Sequence, residues 1–282
     1  MLAPPLPAAI DQLLPDYVRA AGGVRLRFGK VGARTQRLEL AETGGYRARF
    51  PTTFDASSEA VLINTGGGMA GGDRMRVEAV LDAGSEAIIT SQAAEKIYRS
   101  QGSETRIETS LSVGPGASLA WLPQESILFS GARLSRSLAI DLARDASLIA
   151  CETVFFGRSA MGETLASGGL RDRWRIRRAG RLVFADDFRL DGDIAATLGR
   201  PAIAAGGRAA ATIVAAGHQH LARLEALRAI AAAEEAVEIG AGVVSELVVV
   251  RLLSLDAQAL RRVLVTLLEC LTERALPRTW ST

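Results

Sequence analysis

The chain has 282 residues, 48% hydrophobic and 23% charged, with a formal net charge of +2, so it is long enough to bury about three quarters of its unfolded surface and a disordered chain is excluded as the default. Thirty-three basic residues against 31 acidic ones fall short of the basic excess that a phosphate backbone demands, which argues against nucleic acid as a partner. Only Lys30 and Lys96 are lysine, and the arginines that make up the rest suit bidentate carboxylate contacts at protein surfaces.

Residues 1–23 hold four of the nine prolines within their first fifteen positions and read as a loose lead-in with one helical turn near Asp11. A single domain is expected over residues 24–282, with a β-body over about 24–215 and a helical part over about 216–276. From Val24 the pattern alternates through Leu26 and Phe28, then Leu38 and Leu40, then Tyr46, Ala48 and Phe50, with Gly44 and Gly45 as punctuation. That is strand and tight turn.

Residues 61–76 are the oddest stretch: an apolar run leads into Asn64-Thr65-Gly66-Gly67-Gly68, and Gly71-Gly72-Asp73 follow two positions later. Such glycine density is kept where the backbone needs positive φ or where something must approach it closely. A phosphate or dinucleotide loop would be followed by a helix whose free N–H groups hold the anion. Here Met75, Val77, Ala79 and Leu81 continue at strand period. A glycine-rich bend between strands covers most of what is seen, and an enzyme with an anion or nucleotide pocket at this bend is the alternative.

A repeated unit then runs from residue 76 to residue 189. Two short strands meet at a turn, and Gly84, Gly116, Asp145 and Gly180 mark four turns about thirty residues apart. Units of that size cannot bury their own apolar face and must stack on their neighbours. The fold class expected is mainly β, a stacked β-hairpin or β-helix-like (solenoid-like) body with two C-terminal α-helices. The return segments, residues 91–103, 123–133 and 155–168, are the parts that do not repeat.

Beyond residue 191 alanine becomes common and the helical period appears. One amphipathic helix of about four turns is expected over residues 218–233, a valine-rich strand over 243–253, and a helix capped by Asp256 that ends at Pro277. The longest uncharged apolar stretch, residues 209–222, is broken by Gly217, His218, Gln219 and His220 and is too short to span a bilayer. No export leader is visible, so a cytoplasmic location is expected. Cys151 and Cys270 show no metal or redox spacing and read as buried free thiols.

Candidate chemistry is sparse. His218 and His220, the only histidines, point to different sides if helical and reach one ion only if the segment starts extended. Glu125 and Glu152 follow apolar inner strands, where an ionised carboxylate needs a cation. That cation is an arginine in an ordinary fold, or a divalent ion in transit. Gln92, Lys96, Tyr98 and Arg99 group amide, cation and aromatic side chains on one return segment, which suits either a solvated loop or a protein contact. No catalytic residue is assigned.

The glycine blocks, taken in order with Gln92, with Lys96-Ile97-Tyr98-Arg99-Ser100, with Trp121-Leu122-Pro123-Gln124-Glu125 and with the ending Leu276-Pro277-Arg278-Thr279-Trp280, resemble the urease accessory protein family UreD (UreH). Glu95 departs from the small or neutral residue usual there. The resemblance implies a β-helix-like body and a non-catalytic maturation scaffold. It implies partners of the UreF type and the UreG type, the latter a GTPase, and delivery of nickel to apo-urease. No permanently bound cofactor is expected, only transient nickel, for which Glu125, Glu152, His218 and His220 are the candidate contacts. A free-standing β-solenoid binding module is a further alternative.

Overall fold

The computed structural model describes residues 19–158, 161–163 and 165–281; the helical turn expected near Asp11 lies outside them. The first strands are β1 (Ala21–Val31), β2 (Arg34–Thr43), β3 (Tyr46–Arg49) and β4 (Ser58–Asn64). After the glycine segment come β5 (Arg74–Leu81), β6 (Glu86–Ser91), β7 (Glu95–Ile97), β8 (Thr105–Val113), β9 (Ser118–Leu122), β10 (Ser126–Leu128), β11 (Arg133–Leu142), β12 (Ser147–Phe156), β13 (Ser167–Arg178) and β14 (Arg181–Asp193). The chain continues through α1 (Ile194–Leu198), β15 (Ala209–Ala216), α2 (His218–Leu221), α3 (Leu224–Ala233), β16 (Glu238–Val244), β17 (Leu247–Ser254) and α4 (Ala257–Thr272), and a single 3-10 turn over Arg278–Trp280 follows.

Two sheets face each other. One runs β14-β13-β11-β8-β5-β1-β2 and the other β16-β17-β15-β12-β9-β6-β4-β3. The repeat explains this topology. In the first three units the turns over residues 82–85, 114–117 and 143–146 carry the chain from the first sheet to the second, so β5, β8 and β11 stack in parallel in one while β6, β9 and β12 stack in parallel in the other. The body is thus β-helix-like, as the spacing predicts.

The fourth unit departs from the others. Ala179 and Gly180 both have positive φ, 48° and 79°, the geometry of a two-residue hairpin turn, so β14 folds back on β13 in the same sheet instead of crossing over.

The alternating pattern of β8, with every second residue buried, faces the core between the sheets and leaves polar residues outside. Strand β12 is different: nine of its ten residues are buried, because α4 covers the outer face of the second sheet. Leu260, Val263, Leu264, Leu267 and Leu268 of α4 pack with Ile149, Cys151, Ile213, Val248 and Val250, and a strand covered on both faces reads as a near-continuous apolar run. Asp256 caps α4 by accepting from Gln258 and Ala259 N–H at 2.8 and 3.3 Å. The helix stops at Thr272, where Glu273 turns left-handed, well before Pro277.

Two further expectations change. The four-turn helix is broken into α2 and α3, because Arg223 N–H bonds His220, three residues back, and the ladder resets. The valine-rich strand is the hairpin β16–β17, which turns at Ser245 and Glu246, both at positive φ. Cys151 is buried and Cys270 only half-buried, both free. Burial pushes the Cys151 thiol up to about 12, which keeps it protonated and unreactive. No helix among the described residues is long and apolar enough to cross a membrane.

Candidate functional site

The return segments stack, although their sequences do not repeat. Met69 in the glycine segment bridges Ile97, β7 pairs in parallel with β10, and β10 pairs with the end of β12. Met69, Ile97, Leu128 and Phe156 therefore form one buried ladder, with the glycine segment as its first rung.

The glycine-rich signature builds that rung. Asn64 accepts from Gly66 N–H at 2.9 Å and donates to the Gly68 carbonyl at 3.3 Å and to Glu95 Oε1 at 2.9 Å. The Thr65 hydroxyl donates to the Gly45 carbonyl. Buried Asp73 accepts from Ala20 and Ala70 N–H at 2.8 and 2.7 Å. At Gly68, φ is +145° and a Cβ would lie 2.5 Å from the Tyr98 ring, whose hydroxyl donates to the Gly67 carbonyl at 2.8 Å. Gly71 is pressed against Ser100, and Gly72 has a φ of +93°. Strand β5 begins directly after Asp73, so the helix that a phosphate loop would need is missing from this position.

Of the four candidates for partner contact, Gln92, Lys96 and Arg99 are exposed around this rung. Tyr98 is engaged internally, under Gly68 and edge-on to Phe129 with ring centroids 5.1 Å apart.

Glu95 sits beneath the same surface. Burial, with some help from Asp73, raises its carboxyl to about 7, and the Asn64 hydrogen bond only partly offsets this. A carboxyl raised on folding stabilises least when ionised, so stability should fall as pH rises from about 4.5 through 7 and then level off. Glu95→Gln should match the wild type near pH 4 and exceed it by about 2–3 kcal/mol near pH 8. Urea titrations at the two pH values check this, and parallel pH profiles for the two proteins would refute it.

Glu152 lies deeper, 7% exposed, and its cation is Arg136, 4% exposed, at 2.5 Å. Arg136 also pairs with Asp172 and donates to Ser126, while Trp121 Nε1 donates to Glu152 at 2.9 Å. Burial works against charge on both partners: it lowers Arg136, whose two carboxylates more than reverse this, and it raises Glu152. The guanidinium and the indole N–H aimed at its oxygens act against that rise. The sequence reading missed Arg136 and Asp172. The signal for Arg136 is its phase, since it shares the inward face of β11 with Leu134, Leu138, Ile140 and Leu142.

Two cavities meet at this ion pair. One of about 180 Å³ is lined by Asn64, Gly68, Glu95, Lys96 and Trp121, the other of about 470 Å³ by Trp174, Phe188, Asp186 and Arg251, and Arg136 and Glu152 line both. The glycine signature and Glu152 thus share a cavity. Glu125 is elsewhere, paired with Arg261 of α4 at 2.7 Å.

The histidines stay apart from both glutamates. His218 is exposed, whereas His220 is buried with Nε2 3.2 Å from Ser147 Oγ, and burial, aided by Arg223, lowers it to about 4. No three His, Cys, Asp or Glu side chains among the described residues are grouped to hold a metal.

A family model described as "UreD urease accessory protein" matches residues 20–281. The chain is 49% identical to "Urease accessory protein UreD" of Methylobacterium sp. (strain 4-46), over 95% of this chain and 97% of the relative. It is 46% identical to the protein of the same name from Rhodopseudomonas palustris (strain HaA2), over 97% of each. It is 43% identical to "Urease accessory protein UreD 3" of Bradyrhizobium sp. (strain BTAi1 / ATCC BAA-1182), over 99% of each.

Proposed function

The chain belongs to the UreD family of urease accessory proteins, and we propose that it is a non-catalytic cytoplasmic scaffold that holds apo-urease and recruits UreF-type and UreG-type partners for nickel insertion. The observation that carries the reading is the construction of the signature. Asn64, Thr65, Gly66, Gly67, Gly68, Gly71, Gly72 and Asp73 satisfy one another and the neighbouring coils and so present Gln92, Lys96 and Arg99 on a rigid rung. Side chains held by a packed ladder present a preorganised surface, which lowers the ordering cost of docking. GTP hydrolysis belongs to the UreG-type partner. The purified chain should neither hydrolyse urea nor bind GTP at micromolar concentration, and saturable GTP binding in calorimetry would reject the scaffold reading.

A second reading, favoured by the two cavities that meet at Arg136 and Glu152, is that nickel crosses the chain as cargo without a resident site. Glu152→Gln keeps volume but removes charge and replaces one acceptor oxygen by a donor amide, and Glu125→Gln does the same at the Arg261 pair outside the two cavities. If the carboxylates serve passage, urease co-purification in a pull-down survives while activation at limiting nickel falls. Activation that tracks the amount of complex formed, or that is unchanged, abandons this reading.

A further inference from the structure

The opposite end of the β-body, where the turns of successive units gather, carries a cleft of about 1150 Å³. Arg144, Arg178 and Arg181 line it. Most arginines of the first sheet have a carboxylate partner, as in the pairs Arg25–Glu78, Arg27–Asp82, Arg76–Glu108 and Arg171–Asp187. Among the described residues Arg181 of β14 has no such partner, Arg178 of β13 has only a distant one, and Arg144 sits in the turn between β11 and β12 without one. The Arg178 side chain is only 16% exposed, yet its Nε is buried and without a hydrogen-bond partner. Its Nη2 reaches the Ala146 carbonyl only at 3.5 Å. Its one ion-pair partner among the described residues is Glu246, at 3.9 Å and 77% exposed, where solvent screens most of the attraction. A largely buried guanidinium ordinarily has a close anion.

The guanidinium groups of Arg144 and Arg181 are exposed and have no hydrogen-bond or ion-pair partner among the described residues. Two acids share the cleft, Asp145 and Glu246, so the cationic character rests on three arginines with only one distant pairing among them. The walls are not purely polar. Leu182 lines the same cleft and is 47% exposed, beside the hydroxyls of Ser118 and Ser147.

We propose that this cleft is a docking site for an acidic segment of a partner protein, one that places carboxylates on Arg144, Arg178 and Arg181 and an apolar side chain against Leu182. Planar guanidinium forks match carboxylates bidentately. The exposed leucine and the cleft's size favour a peptide over a free phosphate or a nucleic-acid backbone, neither of which offers Leu182 an apolar group. The site lies at the other end of the body from the glycine-rich rung, so it stands or falls independently of docking there.

The test is fluorescence anisotropy with the full-length chain and a fluorescein-labelled glutamate-rich peptide containing leucine. Binding should weaken with salt. The combined change Arg144→Glu with Arg181→Glu should weaken it by about tenfold, as two exposed charge contacts become repulsive. Arg178→Gln should also weaken it, whereas Arg106→Glu, an exposed change at the start of β8 and so at the far end, should leave it unchanged. Thermal melting of each variant separates lost binding from lost folding. The proposal is overturned if the glutamine version of the peptide binds equally well, if the charge reversals have no effect, or if inorganic phosphate or oligothymidylate displaces the peptide at matched anionic charge.

Discussion

Replacing Arg136 by methionine should lower the stability of the fold by about 3–5 kcal/mol at neutral pH, the size seen when one partner of a buried ionic cluster is removed. The guanidinium ties β11 and β13 of one sheet to β12 of the other through Asp172 and Glu152. Without it both carboxylates are stranded between the sheets, and among the described residues the only side-chain donor left on Glu152 is the indole of Trp121. The loss should shrink as pH falls, because protonation removes the unpaired charges. Glu152→Gln should be milder, since Arg136 retains Asp172. Replacing Arg136, Glu152 and Asp172 together by apolar residues of similar volume should recover most of the loss, because the full cluster gives up hydration to form. Urea denaturation of the three variants decides the matter. Wild-type stability for Arg136→Met would mean that water reaches the cluster freely.

The second large effect is expected at Gly68. Valine there must adopt a φ of +145° and place its Cβ 2.5 Å from the Tyr98 ring. Either the ring leaves its place under the loop, losing the bond to the Gly67 carbonyl and the edge-on contact with Phe129, or the rung shifts off the ladder. A cost of about 3 kcal/mol or more and reduced soluble yield follow from strain and overpacking combined. Gly67→Ala is the control: its φ is +72° but nothing lies within 4 Å of an added Cβ, so only the backbone term of about 1–2 kcal/mol should appear. Equal melting temperatures for the two variants would mean that the Tyr98 contact contributes nothing.

The stacked body is legible in the sequence because turns about thirty residues apart and period-two alternation are strong, local signals. The hairpin of the fourth unit is less so. Ala179-Gly180 looks like any other turn, and only paired positive φ values distinguish folding back from crossing over. The stacking of the return segments is hidden because β7 and β10 are three residues each, too short to show a period. The break between α2 and α3 is hidden because Leu221, Leu224 and Leu227 keep helical spacing across it. The pairing of Glu152 with an arginine follows from the cost of a buried carboxylate. Its identity as Arg136 requires reading a charged residue in an apolar phase as a buried partner.

The central claim, that the rigid glycine-rich rung presents a docking surface in urease maturation, is tested most directly by charge reversal at its exposed cations. Lys96→Glu combined with Arg99→Glu alters exposed side chains only, so the melting temperature should stay that of the wild type. A pull-down of urease subunits with UreF-type and UreG-type partners, run beside urease activity at limiting nickel, should then show complex and activation lost together. A folded double variant that still assembles and activates urease normally would contradict the account.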